Sequence, residues 1–345
     1  MRVLYGVVGE GMGHATRSRV VIEHLLAGGH DVCVMVSGRA EKFLATRFAG
    51  RERVQVRAIH GLHLNYEGNT LDVGKSIASN LGEAPAGIAK NIAAYTQLDF
   101  DAQAVISDFE SWTFFYGLNR FVPVISIDNM QIINRCTHPL AITLDPEFQV
   151  AKAAVKAKLP GAEHYLITTF FYPEVRKQRT TLVPPILRPE ILAAVREPGE
   201  HVLVYQTASA NTDLLPMLKR LPGQFRVYGM GREGTEGNVT LRAFSETGFI
   251  DDLRTARAVL AGGGFSLMGE CVHLRVPMFS VPIGGQYEQE LNARYLTELG
   301  YGTWAKRFEP DPVVDFIEHV PVTTTYVPRG NDDLYAAVDR LLAGG

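Results

Sequence analysis

Short apolar runs recur along the whole chain, each closed by glycine or a polar turn and followed by a stretch with helical spacing. Residues 3–8 are nearly all apolar, as a parallel strand covered on both faces must be. That run ends in Gly9-Glu10-Gly11-Met12-Gly13-His14, and a helix is predicted over 16–27, stopped by Gly28-Gly29. Strands follow over 31–36, 54–59, 104–107 and 123–127, alternating with helices over 39–48, 73–98 and 112–121. Residues 61–74 are polar and carry glycines, which predicts a surface loop beside a site. A helix over 146–157 and a strand over 165–171 complete this half. Pro184, Pro185, Pro189 and Pro198 then punctuate 182–200, the predicted linker.

The alternation restarts with strands over 201–206, 225–228 and 239–244, helices over 213–220 and 251–256, and a terminal helix over 332–342. Strand–helix alternation of this kind predicts an α/β chain with a doubly wound parallel sheet in each half. The reading is two Rossmann-like domains, 1–182 and 183–330, with a C-terminal helix over 331–345. Ligands of such sheets bind beyond the carboxyl ends of the strands. Two sheets facing each other would place the best site in the cleft between them.

The stretch 260–293 stands out. Gly262, Gly263 and Gly264 allow a sharp turn and close approach to a ligand. Ser266 falls where a helix N-cap is expected, and Glu270 follows one turn on along the same face. The apolar run 276–283, broken by Pro277 and Pro282, ends at Gly284-Gly285. Gln286, Glu288, Gln289 and Asn292 open the next helix. Two glycine-preceded helix N-termini suit an anionic ligand carrying a polyol.

Composition narrows the picture. At 345 residues, 46% hydrophobic and 21% charged, the chain can bury two proper cores. A formal net charge of −3 argues against a dominantly nucleic-acid-binding surface. The basic excess between Arg39 and Arg57 reads as a solvated helix face, or else as a surface for an acidic acceptor or anionic lipid. Cys33, Cys136 and Cys271 are far apart and have no zinc spacing, which points to reduced core residues of a cytoplasmic protein. The N-terminus enters a strand directly, unlike a signal peptide, and no run approaches the ~20 apolar residues of a membrane helix. Peripheral membrane contact stays open.

Several residues carry candidate chemistry. The first glycine loop is compatible with NAD, with a phosphate or with a tight turn. Its spacing departs from GxGxxG, and the second strand ends in Ser37-Gly38-Arg39 without the acidic residue an NAD enzyme needs. His14, at the helix start, is kept neutral by the helix dipole and suits a general base on a hydroxyl; local hydrogen bonding is the alternative. Asp108, on the same sheet edge, can accept from its far ring nitrogen, with Glu10, Glu110 and Asp128 as rival carboxylates. Thr207 and Ser209 occupy a phosphate-facing turn or simply cap a helix. Asp251 or Asp252 reads as a cap, and Phe249 and Ile250 as core or as a wall for a nucleobase. Glu270 suits two ribose hydroxyls, and Glu288 and Gln289 suit sugar hydroxyls. The alternatives are a surface carboxylate for Glu270 and dipole-complementing helix residues for the other two.

Three segments together carry a resemblance: Phe249-Ile250-Asp251-Asp252-Leu253, the run from Gly262 to Glu270, and the run from Val281 to Ala293. In order, spacing and chemistry the chain resembles GT-B glycosyltransferases, specifically the family 28 group that includes the lipid-II-forming N-acetylglucosaminyltransferase, and more loosely family 1. The resemblance covers nearly the whole chain. It implies that Ile250 contacts the base through its backbone and Glu270 holds the ribose. Gly263, Gly264, Phe265 and Ser266 would cradle the diphosphate, and Glu288 and Gln289 the sugar. His14 falls on the base position beside the acceptor-side loop residues Gly11 and Gly13, and Asp108 resembles the partner aspartate of family 1. Two features depart from the pattern. Gly262 stands where relatives have histidine or arginine, so backbone amides, Thr207 or Arg188 would have to compensate, and the first loop lacks the GGTGGH form. The implied activity is inverting, metal-independent transfer of a hexose-type sugar from a nucleotide diphosphate sugar, UDP-linked, to a hydroxyl acceptor, with no separate cofactor. Lipid-linked sugar, small natural product and modified nucleic acid all remain as acceptors. A nucleotide-sugar epimerase is the main alternative, followed by an NAD(P) oxidoreductase and a non-catalytic nucleotide-sugar-binding module.

Overall fold

The apolar runs fold as central parallel strands, buried on both faces. The computed structural model describes residues 1–9, 11–61, 65–67, 69–206, 213–322 and 326–344. The chain divides into two units. The first comprises Met1–Asn65, Val73–Arg188 and Gly330–Gly345; the second comprises Tyr66–Asp72 and Pro189–Arg329.

The first unit opens with β1 (Arg2–Val7), α1 (Met12–Ala27), β2 (Asp31–Val36), α2 (Gly38–Arg47) and β3 (Val54–Ala58). A hairpin of β4 (Tyr66–Glu67) and β5 (Thr70–Leu71) follows and belongs to the second unit. The first unit resumes with α3 (Val73–Thr96), β6 (Ala104–Asp108), α4 (Ser111–Arg120), β7 (Val124–Asp128), α5 (Ile132–Arg135), α6 (Leu140–Thr143), α7 (Pro146–Lys158), β8 (His164–Thr168) and β9 (Thr180–Val183). Its seven strands run parallel in the order β3-β2-β1-β6-β7-β8-β9. The order reverses between β1 and β6, where Val7 lies opposite Asp108. Such a switch point opens a crevice at the carboxyl ends of the two strands.

The second unit contains α8 (Pro189–Leu192), β10 (His201–Tyr205), α9 (Leu214–Leu218), β11 (Gln224–Tyr228), β12 (Gly234–Glu236), β13 (Val239–Arg242) and α10 (Glu246–Thr255). It continues with β14 (Ala258–Ala261), α11 (Phe265–Leu274), β15 (Met278–Ser280), α12 (Tyr287–Glu298), β16 (Gly302–Trp304) and α13 (Pro310–Glu318). Its sheet order is β12-β13-β11-β10-β14-β15-β16, parallel except for the antiparallel pair β12–β13. The reversal lies between β10 and β14, so the 262–264 turn leaves the sheet at its own switch point.

The last helix, α14 (Asp332–Ala343), packs into the core of the first unit through Leu334, Ala337, Val338 and Leu342. Asn331 fastens its start: the side-chain amide donates to Leu187 O at 2.7 Å and accepts from Leu187 N at 3.0 Å. His24 of α1 stacks on Tyr335, ring centres 4.0 Å apart.

The hairpin is the least expected element, since 61–74 reads as loop. Its second strand bridges to the second glycine turn: Leu71 N donates to Gly284 O and Gly284 N to Asn69 O, each at 2.8 Å. Asn69 Nδ2 adds a bond to Pro282 O at 3.1 Å. A two-stranded hairpin is marginal alone, so these bonds to 282–284 help hold it.

Candidate active site

In the first unit the site is built on one face of α1. Gly11 has φ 92°, open to glycine at little cost, and α1 starts immediately after it at Met12. The helix therefore begins four residues earlier than the sequence pattern predicts. Gly13 lies inside it rather than in a loop, and His14 is its third residue. His14, Arg17 and Ser18 then share one face, as spacing i, i+3, i+4 requires. That face meets the buried carboxylate of Asp108 at the end of β6.

Asp108 is the hub. His14 Nδ1 lies 2.8 Å from its Oδ1, Arg17 Nε donates to Oδ2 at 2.8 Å, and Ser18 Oγ donates to Oδ2 at 2.8 Å. Arg17 Nη2 contacts Oδ1 as the second tine of the guanidinium fork. Arg17 Nη1 also donates to Asn129 Oδ1 at 2.7 Å, just beyond β7. Arg17 Nη2 stands 2.8 Å from His14 Nδ1 as well. Two donors cannot bond each other. The ionised Asp108 is the better acceptor for both protons, which leaves His14 Nε2 with its lone pair.

The electrostatics favour the neutral ring. Burial and then the Arg17 cation lower the His14 pKa below its usual 6.5, while Asp108 opposes them. Burial alone would raise Asp108; the Arg17 and His14 contacts outweigh it and hold the carboxyl well below the ordinary range. His14 retains 18% of its side-chain exposure against 1% for Asp108, so the imidazole is open to a solute while the carboxylate is not.

The other rim carboxylates have structural duties. Phe109 leaves β6 at φ 53°, a left-handed turn that costs a non-glycine residue energy. Glu110 then caps α4, accepting from Trp112 N and Thr113 N at 2.7 Å each. Asp128 accepts from Ser126 Oγ at 2.6 Å and from Gln131 N at 2.8 Å. The Lys158 ammonium sits 4.2 Å above the Phe109 ring. Of the aromatic side chains within 112–116 and 165–172, Tyr116, Tyr165, Phe170 and Phe171 are core, whereas Phe115 and Tyr172 are exposed.

In the second unit two glycine turns are stapled together. Gln289 Oε1 accepts from Gly263 N at 3.0 Å and from Ile283 N at 3.1 Å, so one buried amide satisfies both turns. Asn292 Nδ2 donates to Gly263 O at 3.4 Å and to Glu288 Oε1 at 2.6 Å. A Cβ on Gly263 would stand 2.5 Å from Gln289 Cβ and 2.7 Å from its carbonyl oxygen, so only glycine fits. Helix α11 starts at Phe265 with Gly264 as N-cap, and Gly264 supplies no side-chain cap. Ser266 is thus the second helical residue rather than the cap, because the chain turns into the helix earlier than predicted. Glu270 is buried on the same helix.

Three assignments change. Helix α10 starts at Glu246, capped by Ser245 Oγ accepting from Gly248 N at 3.1 Å, so neither Asp251 nor Asp252 is the cap. Ile250 consequently lies within the helix, where its backbone N–H is turned to the i−4 carbonyl and is not offered to a base. Phe249 packs edge-on between Tyr205 and Tyr228 as core. Asp252 holds Arg226 and accepts from Tyr228 Oη at 2.7 Å. Arg188, expected with the donor-binding residues, is the last residue of the first unit and is buried there. Thr207, Ser209 and Glu10 lie outside the described residues. A groove of about 560 Å³ lined by His201, Gln224, Arg226 and Arg242 includes the amino ends of β10 and β11, away from the glycine turns. Arg17, which sequence reasoning missed, was signalled only by its i+3 spacing from His14.

The comparisons agree with this architecture. An uncharacterized glycosyltransferase of Methanosarcina mazei is 22% identical, the match spanning 91% of this chain and 89% of the relative. The glycotransferase of kitacinnamycin superposes with a TM-score of 0.67 at 16% identity, over 99% of each chain. LpCGTa, solved in complex with UDP, gives 0.60 at 13% identity, over 99% of this chain and 90% of the other. The model of the family described as glycosyl transferase family 1 matches residues 1–321, so with its two parallel-dominated α/β sheets of GT-B type the chain belongs to that glycosyltransferase family.

Proposed function

We propose that this glycosyltransferase moves a hexose-type sugar from a nucleoside diphosphate sugar, UDP-linked, to a hydroxyl acceptor, with inversion and without a metal ion. The observation that carries the reading is His14: Nδ1 is committed to Asp108 at the first sheet's switch point, which leaves Nε2 to take a proton. The acceptor O–H gives its proton to Nε2 as its oxygen attacks the anomeric carbon. The bond from that carbon to the diphosphate oxygen breaks, and the electron pair leaves with the nucleoside diphosphate. The transition state is oxocarbenium-like. Asp108 steadies the imidazolium as it forms.

The leaving diphosphate is received at the start of α11, where the N-cap is a glycine and the positive end of the helix dipole favours negative charge. Glu270 is assigned the ribose hydroxyls and Glu288 the sugar. Gln289 has its amide oxygen engaged by two backbone N–H groups, so its part in sugar binding is to shape the turn. The UDP complex of LpCGTa supports a uridine donor.

The test is release of nucleoside diphosphate from a panel of nucleotide sugars, with cell extract as the acceptor source and EDTA present. His14→Ala should lower turnover by roughly 10²–10⁴-fold with UDP affinity retained, and Glu270→Ala should weaken UDP binding by calorimetry. Near-normal turnover in His14→Ala would remove the base assignment, and unchanged UDP affinity in Glu270→Ala the ribose assignment.

A further inference from the structure

The base assignment leaves Arg17 unexplained. A histidine paired with a buried carboxylate alone has its charged form favoured, so a larger share of it already carries the proton near neutrality. This site adds a third member. Arg17 is 4% exposed, takes both oxygens of Asp108, and is braced from the far side by Asn129. Its Nη2 also stands 2.8 Å from His14 Nδ1. A merely structural ion pair needs the fork on Asp108 but not the approach to the imidazole.

We propose that Arg17 is a positioning residue of the transfer reaction: it fixes the orientation of Asp108 and, by standing against His14 Nδ1, disfavours a second proton on the imidazole. The proposal rests on the reading of His14 as the base. The groups around His14 decide how Arg17 acts. Asp108 at the end of β6 favours the imidazolium. Arg17 on α1 and the Lys158 ammonium at the end of α7 disfavour it, with burial acting in the same direction. Asp128 on β7 and the buried Tyr5 on β1 act on Arg17 and so reach His14 through it. Glu110, at the start of α4, is engaged in its cap. Arg17 is the only one of these that touches both members of the dyad. Its planar fork also restricts rotation of the carboxylate, which a lysine ammonium cannot do.

Two variants separate its charge from its geometry. Arg17→Met removes both, and Arg17→Lys keeps the charge and loses the fork. Nitrogen-15 NMR titration of His14 reads protonation directly, and the pH profile of kcat/KM reads it through turnover. Arg17→Met should move the His14 titration, and with it the acid limb of the profile, upward by about one pH unit or more. Activity lost at neutral pH should then return in alkaline buffer, a recovery that a misfolded site would not show. Arg17→Lys should keep the titration near the parent's while kcat falls about tenfold. Deleting one partner of a buried pair is costly, so if Arg17→Met does not fold, the lysine variant carries the test. A His14 titration unmoved in folded Arg17→Met, or parental kcat in Arg17→Lys, overturns the proposal. The NMR arm needs no turnover. Should His14→Ala stay active, the base reading falls while the effect of Arg17 on His14 is still measured.

Discussion

Replacing Gln289 by alanine tests the idea that one side chain builds the donor half of the site. The amide oxygen satisfies two backbone N–H groups, Gly263 at 3.0 Å and Ile283 at 3.1 Å, both in buried surroundings. Alanine strands both. A buried donor left without a partner costs about 1–3 kcal/mol. Water entering the space left by the amide recovers part of this, so the expected loss is about 2–4 kcal/mol. At about 2–4 °C per kcal/mol for a domain of this size, the second unit should melt about 4–16 °C lower. Gln289→Glu keeps an acceptor for both N–H groups and should melt near the parent. It loses the Nε2 bond to Gln286 and adds a negative charge beside the proposed diphosphate cradle, so its UDP affinity should fall. Circular dichroism melting paired with UDP calorimetry separates the two effects. An alanine variant melting within ~1 °C of the parent would refute the reasoning, because the bonds would then contribute less than the smallest cost of one stranded donor.

Other outcomes follow from the same geometry. The acid limb of kcat/KM should lie below 6.5, since burial and the Arg17 cation lower the His14 pKa; a limb above 6.5 would show that Asp108 outweighs them. Burial raises Asp128 from 3.8 to about 6, so its contribution to stability is fully present below 3.8 and is lost as pH rises through about 6. Asp128→Asn should therefore gain stability over the parent at about pH 8, by up to ~3 kcal/mol at 1.36 kcal/mol per pKa unit. Melting at about pH 5 should show a smaller gain. Gly263→Ala should fold poorly, whereas Gly262→His should fold and tighten UDP binding. A Cβ at Gly262 meets nothing closer than 3.6 Å, so a side chain there has room to reach the diphosphate; unchanged affinity in a folded Gly262→His would refute this.

Much of the fold was legible because parallel strands covered on both faces read as apolar runs, and glycine turns mark where they end. The predicted strand over 31–36 and the terminal helix from Asp332 match the structure closely. What the sequence hides depends on distant partners. Strand β5 has two residues and no periodicity, and its bridge is to Gly284, more than two hundred residues on. Arg17 carries no signal beyond its spacing from His14 until Asp108 and Asn129 are brought to it by strand order. Helix starts slipped at α1, α10 and α11 for one reason: a turn residue, whether Gly11, Ser245 or Gly264, begins the helix earlier than the apolar spacing suggests. Those slips moved Ile250 into a helix and Ser266 from the cap to the second helical position, while leaving His14 and Asp108 together.

The hairpin at Tyr66–Asp72 bears on how this chain can be recombined. The seam after Arg188 is a natural place to exchange second units between relatives. Yet a second unit cut there leaves behind Asn69 and Leu71, whose backbone groups complete Gly284. A chimera therefore inherits its second glycine turn from one parent and the strand that pairs with it from the other. Exchanges that carry residues 66–72 along with 189–329 keep the matched pair. Those made at the seam alone ask two unrelated loops to find a common register, and the misfit would fall on the second glycine turn.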